Sequence, residues 1–361
     1  MLVPFFNIIG LHLGNTLVLG LILCYIIVTA LAFDVLYIRV TWLPQMCIVL
    51  LCILILMLSE SHSVLNLNQT NAYAVRFFGL FLIILLINIC YYNAEEVSQK
   101  IINPILKFYI VIFSFSIFID FYILHSSLDI SLQPMYSPED WSYFGRPFGI
   151  TGQPSVNSVL LVFFYTYLLS RTSFKSSYVS FFLMFGGVLL QGSGSGYIAC
   201  LLLFFIMLRQ THLFIQASAG SILVFIVILL IENFKAFEKI SLFYITGMIG
   251  VFSAQLFEWF DLLRMRMPTM SVLFGGVPSN IDFGPLFFVS NVGIIYAVIF
   301  IFLIVLCIIA ARNAYQRFAI YILLVGNLHY PVMFYVLMAF FLPIVIQQSL
   351  FYGRKHRSNI S

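Results

Sequence analysis

Charged residues are scarce in this sequence. Only 8% of the 361 residues are Asp, Glu, Lys or Arg, whereas 62% are hydrophobic, including 40 Phe and 20 Tyr. A soluble globular domain carries about 25% charged residues, so this composition excludes one. The net charge of +4 is small and spread over many loops, which gives no indication of a nucleic-acid partner. We therefore predict an all-α, polytopic integral membrane protein.

Motifs for binding metals and nucleotides are also missing. No HExxH pattern, close pair of histidines or DxD pair occurs. The segment Gly192-Ser-Gly-Ser-Gly196 lacks the lysine of a phosphate-binding P-loop. The six cysteines are scattered in apolar runs and are interpreted as small buried hydrophobic residues. We predict no cofactor and no metal, so any chemistry must come from protein side chains.

Apolar runs follow one another along the chain. A helix needs about 20 apolar residues to cross a bilayer. The runs lie at 13–33, 42–59, 74–93, 104–124, 154–170, 177–191, 195–209, 213–231, 285–311, 318–328 and 331–349. They predict about 11 transmembrane helices (range roughly 10–12) in a single transmembrane domain, 1–361. The short connectors between 154 and 231 predict antiparallel neighbouring helices.

Two long segments, 125–152 and 232–284, interrupt the series of apolar runs. Basic residues concentrate in the cytoplasmic loops of membrane proteins, and most of the 17 Lys and Arg residues fit on the side opposite these segments. We therefore predict two large periplasmic loops and a cytoplasmic C-terminus. The basic residues left on the periplasmic side are Arg76, Arg146, Lys235, Lys239, Arg264 and Arg266. All of these residues except Arg76 lie in the two long loops, which indicates that the basic residues of these loops have a function.

The uncharged run Ile240–Phe257 leaves an alternative topology open. If this run crosses the membrane, the two arginines that follow it move to the cytoplasm. The alternative also fuses 318–349 into one helix with Asn, His and Pro at its middle, which is costly in lipid. An interfacial helix along the outer leaflet is therefore favoured for this run.

Each long loop places arginine before a segment rich in Gly, Pro and Ser. Arg146 precedes Gly152-Gln-Pro-Ser-Val-Asn157, and Arg264 and Arg266 precede Gly276-Val-Pro-Ser-Asn280. Such segments are also ordinary turns, and a lone arginine at a membrane surface often contacts headgroup phosphates. Three arginines are better explained by binding of a diphosphate. One guanidinium group can donate two parallel hydrogen bonds to phosphate oxygens, and it is always positively charged. We predict that these three arginines bind pyrophosphate.

Other polar residues on the same predicted side complete the candidate site. His329 lies in the last outer hairpin, where a histidine is either a structural hydrogen-bonding residue or a general base. Asp282 is an outer-loop carboxylate that either pairs with loop cations or deprotonates an acceptor hydroxyl. We predict these two as the catalytic candidates. The predicted cavity-lining residues are Asn157, Tyr197, Gly275, Asn280 and Tyr330.

These segments resemble those of the O-antigen polymerase and O-antigen ligase superfamily. The similarity lies in Arg146-Pro-Phe-Gly-Ile-Thr-Gly-Gln-Pro-Ser-Val-Asn157 before a helix and in the Ser/Gly-rich segment 192–196 two helices later. Arg264 and Gly275 have the arginine–glycine spacing that describes the second outer loop of the polymerase branch. At the same distance from Arg146 the chain has Asn157 instead of glycine. The Ser/Gly segment lacks the Ser-Arg often found in ligases, which favours a polymerase.

The resemblance implies a metal-independent glycosyltransferase with the C-type membrane architecture, in the bacterial inner membrane. Its donor would be a glycan on undecaprenyl pyrophosphate. The glycan would be transferred to the non-reducing end of an incoming lipid-linked repeat unit at the periplasmic face. The implied partners are this lipid-linked oligosaccharide, membrane lipids and a chain-length regulator protein.

Two other functions stay open from the sequence. An O-antigen ligase would transfer the finished glycan to lipid A-core, and a flippase would carry the lipid-linked oligosaccharide across the membrane. A flippase is expected to line its path with charged groups inside the spans. Such groups are few here, and Asp120 near the end of the fourth run is an exception.

Overall fold

The structure is a computed structural model. It describes residues 94–125, 147, 149–209, 284–311, 313–328, 332–334 and 336–347, and positions 249, 250, 253, 254, 256, 257 and 260. These residues form α-helices, two short 3₁₀ segments and the turns between them, and no strand occurs among them. The predicted all-α class is therefore confirmed for these ranges.

The helices whose bounds are defined are numbered here in chain order. They are α1 (Ala94–His125), α2 (Pro154–Leu169), α3 (Tyr178–Gln191), α4 (Gly194–Arg209), α5 (Gly284–Ala310), α6 (Ala314–Asn327) and α7 (Val336–Gln347). The 3₁₀ segments Phe174–Ser177 and Val332–Phe334 precede α3 and α7.

The helix bounds follow the apolar runs closely in the middle of the chain. α2, α3 and α4 begin and end within one residue of the runs 154–170, 177–191 and 195–209. α1 differs, because it starts at Ala94, well before the predicted 104, and contains Pro104. An apolar run marks the length of helix suited to lipid, so it does not locate a helix end built from polar residues.

The predicted runs near the C-terminal end are shifted or divided. α6 begins four residues before the run 318–328, because Asn313 caps it by accepting a hydrogen bond from the N–H of Gln316 at 2.9 Å. α5 coincides with the run 285–311, although Gly293 has a φ of 86° and interrupts the helix. The run 331–349 divides into a 3₁₀ segment and α7.

Two of the described helices are long and apolar enough to cross a membrane. They are Ile102–Leu124 of α1 and Gly293–Ala310 of α5, whereas α2, α3 and α4 are apolar but shorter. A helix rises about 1.5 Å per residue, so a 16-residue helix spans about 24 Å of a hydrocarbon core about 30 Å thick. The number of about eleven spans stays a prediction.

The chain divides into two units, one made of 1–102, 261–312 and 333–361, the other of 103–260 and 313–332. In the first unit α5 packs against α7. Among the α5 side chains that the structure describes, the exposed large apolar ones are Ile294, Val298, Ile301, Phe302, Val305 and Ile309. Their spacing of mostly three and four residues places them on one face of the helix, as expected for a surface in contact with lipid.

In the second unit α2 is enclosed by its neighbours. Every residue of α2 is buried, and the helix packs against α3, α4 and α6. α6 runs antiparallel to α2. At one end Nδ2 of Asn313 donates to the carbonyl of Ser170 at 2.8 Å, and towards the other end Gly326 lies against Val159. The start of α2 and the end of α6 therefore lie at the same end of this unit.

The charged side chains described in the second unit are separated by sign. The basic ones lie at the end where α2 finishes and α6 begins: Lys107, Arg171, Arg209 and Arg317. Lys107 donates there to the carbonyl of Ser176 at 3.3 Å. Arg171 donates from Nε to Asn103 Oδ1 at 2.8 Å. Asp120 lies at the opposite end, beside the loop that precedes α2.

The run Ile240–Phe257 falls only partly on described residues. The described positions from 249 to 260 are helical and exposed. Both an interfacial helix and a spanning helix require helical backbone there. The choice between the two therefore stays a prediction.

Candidate functional site

The loop that enters α2 is a tight turn formed by Gly149–Gly152. The N–H of Gly152 donates to the carbonyl of Gly149 at 3.2 Å. Both glycines have positive φ, 65° and 72°. Residues other than glycine rarely adopt a positive φ, so the two glycines explain why the chain can turn so sharply here. Pro154 then starts α2, with its fixed φ suited to the first helical position.

Three successive N–H groups of this loop are bound by side chains from the two flanking helices. Asp120 and Ser116 belong to α1, and Asn157 lies in the first turn of α2. The pairs are Gly149 N to Asp120 Oδ2 at 2.6 Å, Ile150 N to Ser116 Oγ at 3.2 Å, and Thr151 N to Asn157 Oδ1 at 3.3 Å. Because the loop backbone is bound from both sides, its shape depends on residues of both helices.

Asp120 is the least expected member of this set. Its side chain is 0% exposed, and its Oδ1 has no hydrogen-bond partner in the part of the chain that the structure describes. Ser116 both accepts from the loop and donates to the carbonyl of Phe113 at 2.8 Å. The hydroxyl is therefore held in place by its own helix.

Asn157, one of the predicted cavity-lining residues, is 0% exposed. Its side-chain oxygen accepts from the loop, and its Nδ2 lies where a Cβ on Gly149 would come within 2.5 Å. The contacts described for Asn157 are thus with the loop backbone. Its role in lining a substrate cavity stays a prediction.

The Ser/Gly-rich segment forms the turn between α3 and α4. Gly192 ends α3 in the left-handed conformation (φ 56°), and its N–H donates to the carbonyl of Leu189 at 3.2 Å. Ser193 then reaches the first turn of α2, where its Oγ lies 3.1 Å from that of Ser155. Ser193 Oγ also lies 3.0 Å from Ser195 Oγ. The turn and the loop therefore meet at the start of α2.

A second polar contact joins α3 to α2 at the last residue of α3, next to this turn. Ser158 Oγ donates to the carbonyl of Pro154 at 2.8 Å and lies 2.7 Å from Oε1 of Gln191. Both Ser158 and Gln191 are buried, and Gln191 Nε2 has no partner among the described residues. A Cβ on Gly196 would overlap Ser158 Cβ, so α4 approaches α2 as closely as a glycine allows.

Tyr197, also predicted to line the cavity, lies in the first turn of α4 and is buried. Its hydroxyl donates to the carbonyl of Leu189 at 3.4 Å, which links α4 back to the end of α3. Its function as a lining residue stays a prediction. Asn327, at the end of α6, is buried at the same end of the unit.

The other predicted site residues lie outside the described residues. They are Arg146, Arg264, Arg266, His329, Asp282, Gly275, Asn280 and Tyr330. Arg146 is separated from Gly149 by two residues, and His329 follows Leu328, the residue directly after α6. Among the described residues, no group of three or more His, Cys, Asp or Glu side chains could hold a metal.

Sequence reasoning missed the role of α1 in this site. Asp120 and Ser116 are 29 and 34 residues away from their partners in the loop. The one available signal was that a carboxylate stood near the end of an otherwise apolar run, where an ionisable residue needs a polar partner. That signal marked Asp120 as unusual but did not name its partner.

Comparisons with known proteins supply no family. No protein-family model, no curated protein and no solved structure matches this chain.

Replacing Gly149 by alanine is expected to destabilise the loop. A left-handed backbone costs an alanine about 1–2 kcal/mol, and the new Cβ would also crowd Asn157 and Ile117. We expect a lower thermal unfolding temperature for the detergent-solubilised variant. Gly186→Ala in α3 is the control, because its Cβ would meet Phe118 only at 3.4 Å. Equal melting temperatures for Gly149→Ala and the wild type would contradict the assigned strain.

Proposed function

We propose that this protein is a membrane glycosyltransferase that polymerises lipid-linked oligosaccharide repeat units. The growing glycan is transferred from undecaprenyl pyrophosphate to the non-reducing end of an incoming lipid-linked repeat, as in O-antigen or a similar surface polysaccharide. The proposed architecture is the C-type, with about eleven spans and the site at the periplasmic face of the bacterial inner membrane.

The observation that carries the proposal is the meeting of two segments at one end of the second unit. The loop Gly149–Gly152 and the turn after α3 both contact the first turns of α2. These are the two segments on which the resemblance to the polymerase and ligase superfamily rests. Their contact supports one common site, which the sequence alone could only suggest.

The distribution of charge supports the proposed orientation. The four basic side chains described in the second unit lie at the end opposite the loop. Basic residues favour the cytoplasmic side of a membrane. With that end in the cytoplasm, the loop before α2 faces the periplasm, where flipped lipid-linked repeat units are available.

The proposed chemistry needs fixed positive charge and no metal. Breaking the bond between the anomeric carbon and the pyrophosphate oxygen leaves negative charge on the departing lipid pyrophosphate. Arg146, Arg264 and Arg266 are proposed to stabilise this charge, since positioned cations act most strongly where charge develops. His329 or Asp282 is proposed to accept the proton of the attacking hydroxyl.

The proposal is tested with the full-length protein in lipid nanodiscs and synthetic undecaprenyl-pyrophosphate-linked repeat units in the presence of a metal chelator. We expect lipid-linked products longer by whole repeat units, resolved by gel electrophoresis and mass spectrometry. Absence of any longer product would contradict the proposal. Transfer of glycan only to added lipid A-core would identify a ligase, and movement of the lipid-linked oligosaccharide across vesicles without elongation would identify a flippase.

A further inference from the structure

Asp120 is a buried carboxylate that the sequence marks only as an ionisable residue near the end of an apolar run. The structure gives it a specific partner, because Oδ2 lies 2.6 Å from the N–H of Gly149. At this distance the carboxylate oxygen accepts a direct hydrogen bond from the loop backbone. Gly149 is itself buried, so its N–H needs a protein acceptor when the loop is folded.

Asp120 does not act on the loop alone. Ser116 lies one helical turn earlier on the same face of α1 and accepts from the next N–H of the loop, that of Ile150. Asn157 accepts from the one after that, at Thr151. Two helices thus hold consecutive backbone groups of one short loop, and a change in any of the three acceptors removes one of these hydrogen bonds.

The loop lies immediately after the segment that contains a predicted pyrophosphate ligand. Only Pro147 and Phe148 separate Arg146 from Gly149. A proline limits the rotation of the backbone, so the direction of the chain at 149 constrains where the preceding residues can lie. We therefore expect a change in the loop geometry to lower activity if Arg146 binds pyrophosphate as proposed.

We infer that Asp120 and Ser116 of α1 are positioning residues that fix the loop Gly149–Thr151, which directly follows the segment containing the proposed pyrophosphate ligand Arg146. This inference rests on the proposed function for its catalytic consequence. It assigns to Asp120 the task of a hydrogen-bond acceptor and not that of a carrier of protons or ions.

The inference distinguishes sharply between two variants of Asp120. Asp120→Ala removes the acceptor of the Gly149 N–H. Asp120→Asn keeps an oxygen at that position and places an amide where Oδ1 has no described partner. If Asp120 positions the loop, the Asn variant rescues activity. If Asp120 carries an ion or proton, the Asn variant is as inactive as the Ala variant.

Ser116 and Ser114 provide a matched pair in α1. Ser116 Oγ accepts from the loop, whereas Ser114 Oγ donates to the carbonyl of Leu183 in α3 at 2.9 Å and has no described contact with the loop. Ser116→Ala and Ser114→Ala remove the same group from the same helix. Only the first of them should alter the loop.

The first measurement needs no activity. Amide hydrogen exchange of the full-length protein in nanodiscs, followed by mass spectrometry, reports protection of the N–H groups at 149–151. We expect faster exchange of this peptide in Asp120→Ala and Ser116→Ala, and wild-type exchange in Asp120→Asn and Ser114→Ala. Unchanged exchange in both Asp120→Ala and Ser116→Ala would overturn the inference whatever the protein's function.

The second measurement uses the polymerisation assay. Misplacing a catalytic group by about 1 Å can lower a rate about 100-fold, so we expect kcat to fall at least about tenfold in Asp120→Ala, with a smaller change in KM. The kcat of Ser116→Ala should fall less. The kcat values of Asp120→Asn and Ser114→Ala should stay within about threefold of the wild-type value. An inactive Asp120→Asn protein with wild-type exchange would overturn the positioning role.

The two measurements separate the two proposals. A wild-type protein that elongates no lipid-linked glycan would contradict the proposed polymerase, while the exchange data would still decide whether α1 holds the loop. If Asp120→Ala does not fold, Ser116→Ala against Ser114→Ala supplies the same comparison in the exchange experiment.

Discussion

Replacing Arg264 by alanine is expected to abolish chain extension. Under the proposed function, this arginine binds the pyrophosphate that leaves when the glycan is transferred, and it has the spacing to Gly275 that describes the polymerase branch. Removing one group that stabilises a developing charge lowers kcat about 100- to 1000-fold in well-studied enzymes. The polymerisation assay with synthetic lipid-linked repeat units measures this loss directly.

Lysine at position 264 should restore little of the activity. A lysine keeps the positive charge but offers a single ammonium group in place of the two parallel N–H donors of a guanidinium. Arg209→Ala is the matched control, because Arg209 is exposed at the end of α4 on the opposite side of the second unit from the loop. Full chain extension by either Arg264 variant would remove this residue from the proposed site.

Replacing Gly326 by alanine is expected to cause the largest loss of stability among the glycine variants considered. A Cβ at this position would overlap Cγ1 of Val159 and lie 3.0 Å from its Cγ2. Both residues are on helices whose backbones are fixed by packing, so α2 and α6 must move apart. Overpacking of this kind costs about 1–3 kcal/mol. Thermal unfolding in detergent measures the effect.

Removing the opposing side chain should rescue this variant. Val159→Ala removes both Cγ atoms and leaves only Cβ, at 3.2 Å from the new methyl group at 326, so the double variant should be more stable than Gly326→Ala alone. A double-mutant cycle isolates this coupling. Gly250→Ala serves as a control, because no atom lies within 4 Å of a Cβ built there. Independent, additive effects of the two substitutions would show that the helices do not meet at this point.

The helices of the second unit could be predicted from the sequence because they obey short-range rules. The apolar runs located α2, α3 and α4 to within a residue, and the turn between α3 and α4 falls on the glycine-rich segment Gly192-Ser-Gly-Ser-Gly196 that separates two of these runs. Gly149 and Gly152 likewise indicated a loop of defined shape. In each case the interactions that determine the helix end or the turn join residues only a few positions apart in the sequence.

The contacts that shape the candidate site could not be predicted in the same way. Ser158 and Gln191 are 33 residues apart, and Asp120 and Gly149 are 29 apart. Such pairs depend on how helices are rotated and shifted against each other, which neither hydrophobicity nor turn preference specifies. A serine or threonine in an apolar run can also donate a hydrogen bond to a carbonyl of its own helix instead of to a neighbouring helix. Thr166 does so, to the carbonyl of Val162 at 2.7 Å.

The enclosure of α2 also bears on how the protein is made. α2, α3 and α4 follow one another in the chain and can pack together as soon as they leave the ribosome. The side of α2 that includes Val159 is covered by α6, and α6 begins only at Ala314. The second unit therefore cannot be completed until the whole of 261–312 has been synthesised, so its assembly ends late although its central helix is made early.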